Sequence, residues 1–211
     1  MTSEPALCAP KPGEDSTIFV VQKHAARRAG LHWDFRMEHA GVLWRWAVRD
    51  GPSRDPSDRR LAIHVEDHPL DYADFEGTIP AGQYGAGTVE IWDRGTWEPI
   101  GDPEVGVRKG NLRFVLAGSR LAGRFTLARL SRRDPRKQEG WFLIKGHDEH
   151  AREGMNALAL EQEMGAPSPR KQAEDQPPAE QVIHGALSAR KPPSSVPLPR
   201  SRPPVPAGFP K

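Results

Sequence analysis

A single cysteine, Cys8, in 211 residues excludes an internal disulfide framework and a cysteine-ligated metal cluster, and fits a reducing, cytoplasmic setting. Its Pro-bearing surroundings offer little to pack against, so cysteine nucleophile chemistry is set aside. Long hydrophobic runs are missing as well. No window approaches the roughly 18 apolar residues of a membrane span, and the opening MTSEPALCAPKPGEDS holds no signal-peptide core. The chain reads as a soluble intracellular protein with no membrane partner. There is no Gly-x-Ser-x-Gly elbow for acyl transfer. Gly82, Gly85 and Gly87 are not followed by the Lys-Ser/Thr of a P-loop and read as a tight turn. A surplus of one charge sign is absent too: the net charge is +2. Residues 167–211 carry seven Lys/Arg and three Asp/Glu, or +4, which leaves −2 for the rest. Such a body meets nucleic acid through local basic patches or not at all.

What the chain does have is concentrated. All six tryptophans, both tyrosines and six of seven phenylalanines lie between residues 16 and 150, where a core can form. Residues 1–15 are polar and read as a disordered N-terminal segment. HAREGMNALALEQEM predicts a short helix over 151–165. Residues 166–211 hold 12 of the 22 prolines; this Pro-rich basic tail buries too little apolar surface to offset chain entropy and is expected to be disordered. Within 16–150 eight segments read as strands: TIFVVQKH, HWDFRMEH, GVLWRWAVRDG, RLAIHVEDH, GTVEIWDRG, NLRFVLAGSRL, GRFTLARL and GWFLIKG. Gly, Asp and Pro punctuate them. The predicted fold is mainly β, a small antiparallel β-barrel of about eight strands with minor helices and disordered termini.

Two stretches gather reactive side chains. In HAARRAGLHWDFR, strand alternation sends Trp33, Phe35 and Met37 to a core and His32, Asp34 and Arg36 to one polar face. A His-x-Asp pair grips a divalent ion from one side, and His24, at the end of the preceding strand, would complete a two-histidine, one-carboxylate set suited to Mn²⁺, Fe²⁺ or Zn²⁺. Arg36, pointing the same way, suits a phosphate, whereas Arg27 and Arg28 read as solvated loop residues. In LAIHVEDHPLDYADFEGTIPAGQYGAG, His64 and Glu66 share a strand face and His68 follows in a turn before Pro69. With Tyr72 and Glu76 they form one wall of a site. Arg129, Arg132, Arg133, Arg136 and Lys137 of ARLSRRDPRK either grip a duplex backbone or make an ordinary solvated loop.

VVQKHAARRAGLHWDFRME, WAVRDGPSRDPSDRRLAIHVEDHPLDYADFEGTIPAGQYGAGTVEIWDRG and GWFLIKGHDEHA resemble, in order and over about residues 16–150, the 3′-phosphoesterase domain of bacterial DNA ligase D. The resemblance implies a small β-barrel enzyme of non-homologous end joining; with no polymerase or ligase module present the chain looks like a free-standing member, and nothing in the sequence points to an obligate dimer, so a monomer is expected. It would use a divalent metal, characteristically manganese, to trim 3′-terminal ribonucleotides and remove 3′-phosphates from DNA, leaving 3′-OH ends. End-joining ligase, polymerase or Ku-type proteins would be its company. Matched by motif, His24, His32 and Asp34 are the metal ligands. Arg36, His68 and Tyr72 contact the phosphate, with His68 acting protonated to neutralise charge or as a general acid. Gln22, Arg60 and Glu66 support the site.

Two departures from the family pattern stand out. Ala29-Gly30 forms an insertion that stretches the His24–His32 interval to eight residues. Asp50 replaces a phosphate-facing lysine, so 3′-phosphate removal is expected to weaken or to draw a compensating contact from Arg49 or Arg54. Two other readings remain open. One is a non-haem Fe(II) oxygenase with His64 or His68 as its distant ligand; the other is a non-catalytic DNA-end adaptor.

Overall fold

A computed structural model describes residues 17–130 and 138–165. In chain order its strands are β1 (Ile18–Ala26), β2 (Gly30–His39), β3 (Val42–Val48), β4 (Arg60–Pro69), β5 (Gly77–Ile79), β6 (Gly87–Pro99), β7 (Asn111–Gly118), β8 (Ala122–Arg129) and β9 (Gly140–Lys145). A 3₁₀ turn, Leu70–Asp74, follows β4. Helix α1 (Pro103–Lys109) precedes β7, and α2 (Ala157–Met164) follows β9. Antiparallel pairing runs β1-β2-β3-β4-β9-β8-β7-β6, and β6 returns to β1. Eight strands thus close a barrel, which removes the free sheet edges. β5 adds a short rung beside the first residues of β6.

The barrel closes around the inward half of each alternating strand. Trp33, Phe35 and Met37 of β2, Trp46 and Val48 of β3, Phe114 and Leu116 of β7, Phe125 and Leu127 of β8, and Trp141 and Leu143 of β9 form one buried cluster. A barrel of this strand number is just wide enough for side chains to fill it, as this cluster does. Ala157 and Leu160 of α2 join that cluster, and Asn156 caps the helix by accepting from the Leu158 and Ala159 amides.

All eight predicted strands are present. β5 and α1 have no counterpart among the predicted elements, for different reasons. β5 has three residues, too few to show a period. α1 buries none of its residues, so it lacks the apolar face that marks a helix; its end signals were nonetheless there. Asp102 caps it by accepting from Val105 N, Pro103 begins it, and Gly110 ends it at φ 75°.

A second, smaller apolar cluster lies outside the barrel wall. Val20 and Leu43, on the outward faces of β1 and β3, pack with Tyr72, Ala73, Phe75, Ile79 and Val89. The segment from the 3₁₀ turn through β5 therefore folds over the outer face of the first three strands and buries polar residues there. Among the described residues no helix is long and apolar enough to cross a membrane.

Candidate active site

The outer wall of the β1–β2–β3 sheet is a ladder of cross-strand pairs. His24 faces His32, Gln22 faces Asp34, and Arg36 faces Arg45 of β3. The three-residue turn Arg27–Ala29 joins Ala26 to its partner Gly30, which takes φ 76°, a conformation glycine adopts without strain. The Ala29-Gly30 insertion is thus absorbed within the hairpin, and the histidine rings sit with centroids 4.7 Å apart.

Each of these histidines has one nitrogen held by the backbone. His24 Nε2 donates to the Gly85 carbonyl at 2.7 Å and His32 Nδ1 to the Gly30 carbonyl at 3.0 Å. In the neutral rings the remaining nitrogens carry lone pairs, and both face Asp34: His24 Nδ1 lies 3.7 Å from Oδ2 and His32 Nε2 lies 3.6 Å from Oδ1. His24 Nδ1 is buried without a hydrogen-bond partner among the described residues. An acceptor nitrogen left orphaned beside a carboxylate is costly unless a proton or a metal cation sits between them. One ligand atom from each of His24, His32 and Asp34 falls within 4.8 Å of the others. These residues could hold a divalent ion, with the imidazoles oriented by carbonyls in the manner usual for metal-ligating histidines.

Beside this trio lies a cationic wall. Arg36 is 2 % exposed and is held on three sides. Its Nε donates to Gln22 Oε1 at 2.7 Å, Nη1 to His68 Nδ1 at 2.8 Å, and Nη2 approaches Asp34 Oδ2 at 3.4 Å. Gln22, fully buried, donates through Nε2 to the carbonyls of Tyr72 and Phe75 at 2.8 and 2.9 Å. One amide thereby fixes both Arg36 and the turn that carries Tyr72. The Tyr72 ring packs against His68 with centroids 4.4 Å apart and lies 5.0 Å from the Arg36 guanidinium carbon.

Burial pushes the Asp34 carboxyl up, but Arg45, Arg36 and the two imidazoles outweigh it and hold the group well below the usual carboxylate range. Burial, then Arg36 and Arg45, push the His68 imidazole down to about 3. His68 is therefore neutral in the free protein. Burial also lowers His32 and raises the Tyr72 phenol, which stays a hydrogen-bond donor.

His68 occupies a different place in the fold from the expected turn. It lies in β4, not in a turn, and on the face opposite His64. Leu43 pairs with His68 but Arg45 pairs with Val65, so two residues of β3 span three of β4. This β-bulge reverses the alternation. His64 stacks on Trp46 with centroids 4.8 Å apart, while His68 turns outward to Arg36. With His68 between guanidiniums and His64 on a tryptophan, neither serves as the distant ligand that an Fe(II) oxygenase needs.

Of the supporting residues, Gln22 is at the centre of the site. Glu66 is exposed within the bulged part of β4. Arg60 begins that strand at the end away from His68 and pairs with Asp58 at 2.5 Å. Arg129 donates to the Arg108 carbonyl at 2.9 Å and lies over the Trp141 ring, which gives it work within the fold. Arg132, Arg133, Arg136 and Lys137 fall outside the described residues.

Asp50 is exposed beyond the end of β3. Neither Arg49 nor Arg54 is hydrogen-bonded to the cluster among the described residues. Arg54 donates from Nε to the His150 carbonyl at 2.9 Å, and Arg49 is exposed. The guanidinium that does reach it is that of Arg45, which sequence reasoning passed over. Arg45 Nε donates to Asp34 Oδ1 at 3.0 Å, Nη2 to Oδ2 at 3.2 Å, and Nη1 lies 3.3 Å from His68 Nε2. Its signal was LWRW, an arginine whose tryptophan neighbours both point into the core.

A closed barrel carries on its outer wall three imidazoles, a carboxylate and two guanidiniums under a short cover. The model of the DNA ligase D 3′-phosphoesterase domain matches residues 22–129, and the chain belongs to that family. Among its relatives, the multifunctional non-homologous end joining protein LigD of Pseudomonas aeruginosa is 55% identical over 145 residues, covering 67% of this chain and 17% of that protein. The protein of the same name from Mycobacterium bovis is 47% identical over 131 residues (61% and 16%). The multifunctional non-homologous end joining protein LigD of Mycolicibacterium smegmatis is 40% identical over 126 (56% and 16%). The chain spans about a sixth of the length of these curated relatives.

Proposed function

We propose that this domain is a metal-dependent phosphoesterase that processes DNA 3′ ends for non-homologous end joining, removing a 3′-terminal ribonucleotide and a 3′-phosphate to leave a 3′-OH. The observation that carries this reading is the convergence of the free nitrogens of His24 and His32 on Asp34, next to the buried Arg36 and the half-buried Arg45. His24, His32 and Asp34 would hold a divalent ion, manganese by the family resemblance, which would supply Lewis-acid polarisation of a phosphoryl oxygen.

The chain's own residues do the rest. Gln22 fixes the direction of Arg36, so its remaining N–H groups meet the phosphoryl oxygens without reorganisation. The 3₁₀ turn and β5 keep bulk water off these donors, which strengthens each charge-assisted contact. In hydrolysis a water oxygen bonds to phosphorus, the bond to the departing oxygen breaks, and that oxygen takes a proton. His68, neutral and outward-facing, offers its Nε2 hydrogen at this wall. An incoming phosphate offsets the guanidinium charges that, with burial, keep the ring neutral, so a proton can be held there during the reaction.

The test uses a 5′-labelled primer–template ending in one 3′-ribonucleotide, incubated with Mn²⁺ and the wild type or His32→Ala. Shortening to a 3′-phosphate and then a 3′-OH, lost in the variant, is the expected result. An absence of shortening with every divalent ion tried, despite retained binding to the primer end, would replace the phosphoesterase with a DNA-end adaptor.

A further inference from the structure

We infer that Arg45, together with the outward Nε2–H of His68, forms a second oxyanion subsite that favours a terminal phosphate dianion over an internal phosphodiester. The inference rests on the proposed function and goes beyond it by assigning the group that sets substrate preference.

The geometry begins at His68. Arg36 Nη1 stands 2.8 Å from Nδ1, and a guanidinium only donates, so Nδ1 accepts. A neutral ring that accepts at Nδ1 carries its hydrogen on Nε2. Arg45 Nη1, also a donor, lies 3.3 Å from that same Nε2. Two N–H groups therefore face one another without an acceptor between them. An anionic oxygen entering beside both satisfies the two donors at once. Arg45 is held in place for this by two bonds to Asp34, and its side chain is 12 % exposed, partly desolvated yet open on one side.

Charge gives the preference. The wall sets two guanidiniums, Arg36 and Arg45, against the one carboxylate of Asp34. A phosphodiester brings one negative charge, whereas a terminal phosphate brings nearly two at neutral pH. With Arg36 taking one oxygen and the Arg45–His68 pair another, the second charge of the terminal phosphate is matched rather than left to solvent. Asp34 consumes part of Arg45's donor set but leaves Nη1 directed at the subsite. The order of strands explains why Arg45 can act here: it is the direct cross-strand partner of Arg36, and the bulge in β4 brings His68 to the same face.

The experiment compares the full chain with Arg45→Gln on two primer–templates, one ending in a 3′-phosphate and one in a 3′-ribonucleotide, with Mn²⁺. Inorganic phosphate is the binding probe, followed by calorimetry, and Mn²⁺ affinity is titrated in parallel. Both activities fall, but removal of the 3′-phosphate is expected to fall about tenfold further, the scale of one charge-assisted hydrogen bond. Phosphate affinity is expected to weaken by a similar factor while Mn²⁺ binding persists. Equal losses on both ends with unchanged phosphate affinity would mean that Arg45 merely steadies Asp34, and the subsite would be struck out. If Arg45→Gln does not fold, Arg45→Lys replaces it; a lysine lacks the fork, and unchanged phosphate affinity there overturns the inference equally. A wild type that processes neither end, yet binds phosphate more tightly than the variant, would remove the catalytic reading and leave the subsite standing.

Discussion

Replacing Gln22 by methionine, a side chain of similar length without polar atoms, separates the support of the site from its chemistry. The substitution removes the acceptor for Arg36 Nε and the donor to the Tyr72 and Phe75 carbonyls. A hydrogen bond to a charged group contributes about 1.5–3 kcal/mol and a neutral one about 1 kcal/mol. The three together come to about 3.5–5 kcal/mol. Partial relaxation of the 3₁₀ turn toward solvent trims the expected loss to about 3–4 kcal/mol, a large share of a typical domain's stability. At about 3 °C per kcal/mol for a domain of this size, the melting temperature falls by about 10 °C. Urea unfolding followed by tryptophan fluorescence measures the loss directly. Gln22→Glu is the informative control: it keeps an acceptor for Arg36 but sets a carboxylate against two carbonyls. It is expected to preserve turnover better than it preserves stability. A Gln22→Met protein within about 1 kcal/mol of wild type, with normal 3′-end processing, would refute the idea that this amide organises the wall.

Acid should act on the other side of the molecule through Asp148, whose carboxylate accepts from Lys145 Nζ at 2.5 Å and from the amides of Arg124 and His150. Burial opposes ionisation, but these bonds win and hold the group below the usual carboxylate value. A depressed folded pKa gives stability that is present above the unfolded value and lost as the pH falls through the folded one. Unfolding free energy should therefore drop more steeply below about pH 4 in wild type than in Asp148→Asn, and identical slopes would contradict this. At Gly85, φ is 77° and the carbonyl holds His24. Gly85→Ala is expected to cost about 1–2 kcal/mol in backbone strain and to weaken Mn²⁺ affinity about tenfold or more through the loosened imidazole; titration of Mn²⁺ with unchanged affinity would count against that orientation.

Alternation made the fold and half the site legible. Trp33, Phe35 and Met37 against His32, Asp34 and Arg36 is a period-two pattern, and the barrel respects it residue for residue. The pattern failed at β4 because a bulge carries no signature in residue type: His64, Glu66 and His68 look like one face, and the extra residue places His68 on the other. Arg45 was overlooked for a related reason. Its partner in the register, Arg36, lies nine residues earlier across a turn, and pairing between strands is a property of the assembled sheet. Gln22 was placed by resemblance alone, since an isolated glutamine in an apolar strand does not show that three polar groups converge on it. The capping residues of α1 were legible, but a helix without a buried face gives periodicity nothing to find.

Every strand of this wall has two faces, and they answer to different demands. The inward residues are constrained together by a filled interior, where a change in volume is felt by every neighbour. The outward residues are constrained by one another and by the short cover above them. A substitution on the outer side can therefore alter the chemistry there while the tryptophans behind it continue to fold the chain. Innovation and persistence share a backbone here without competing for the same side chains.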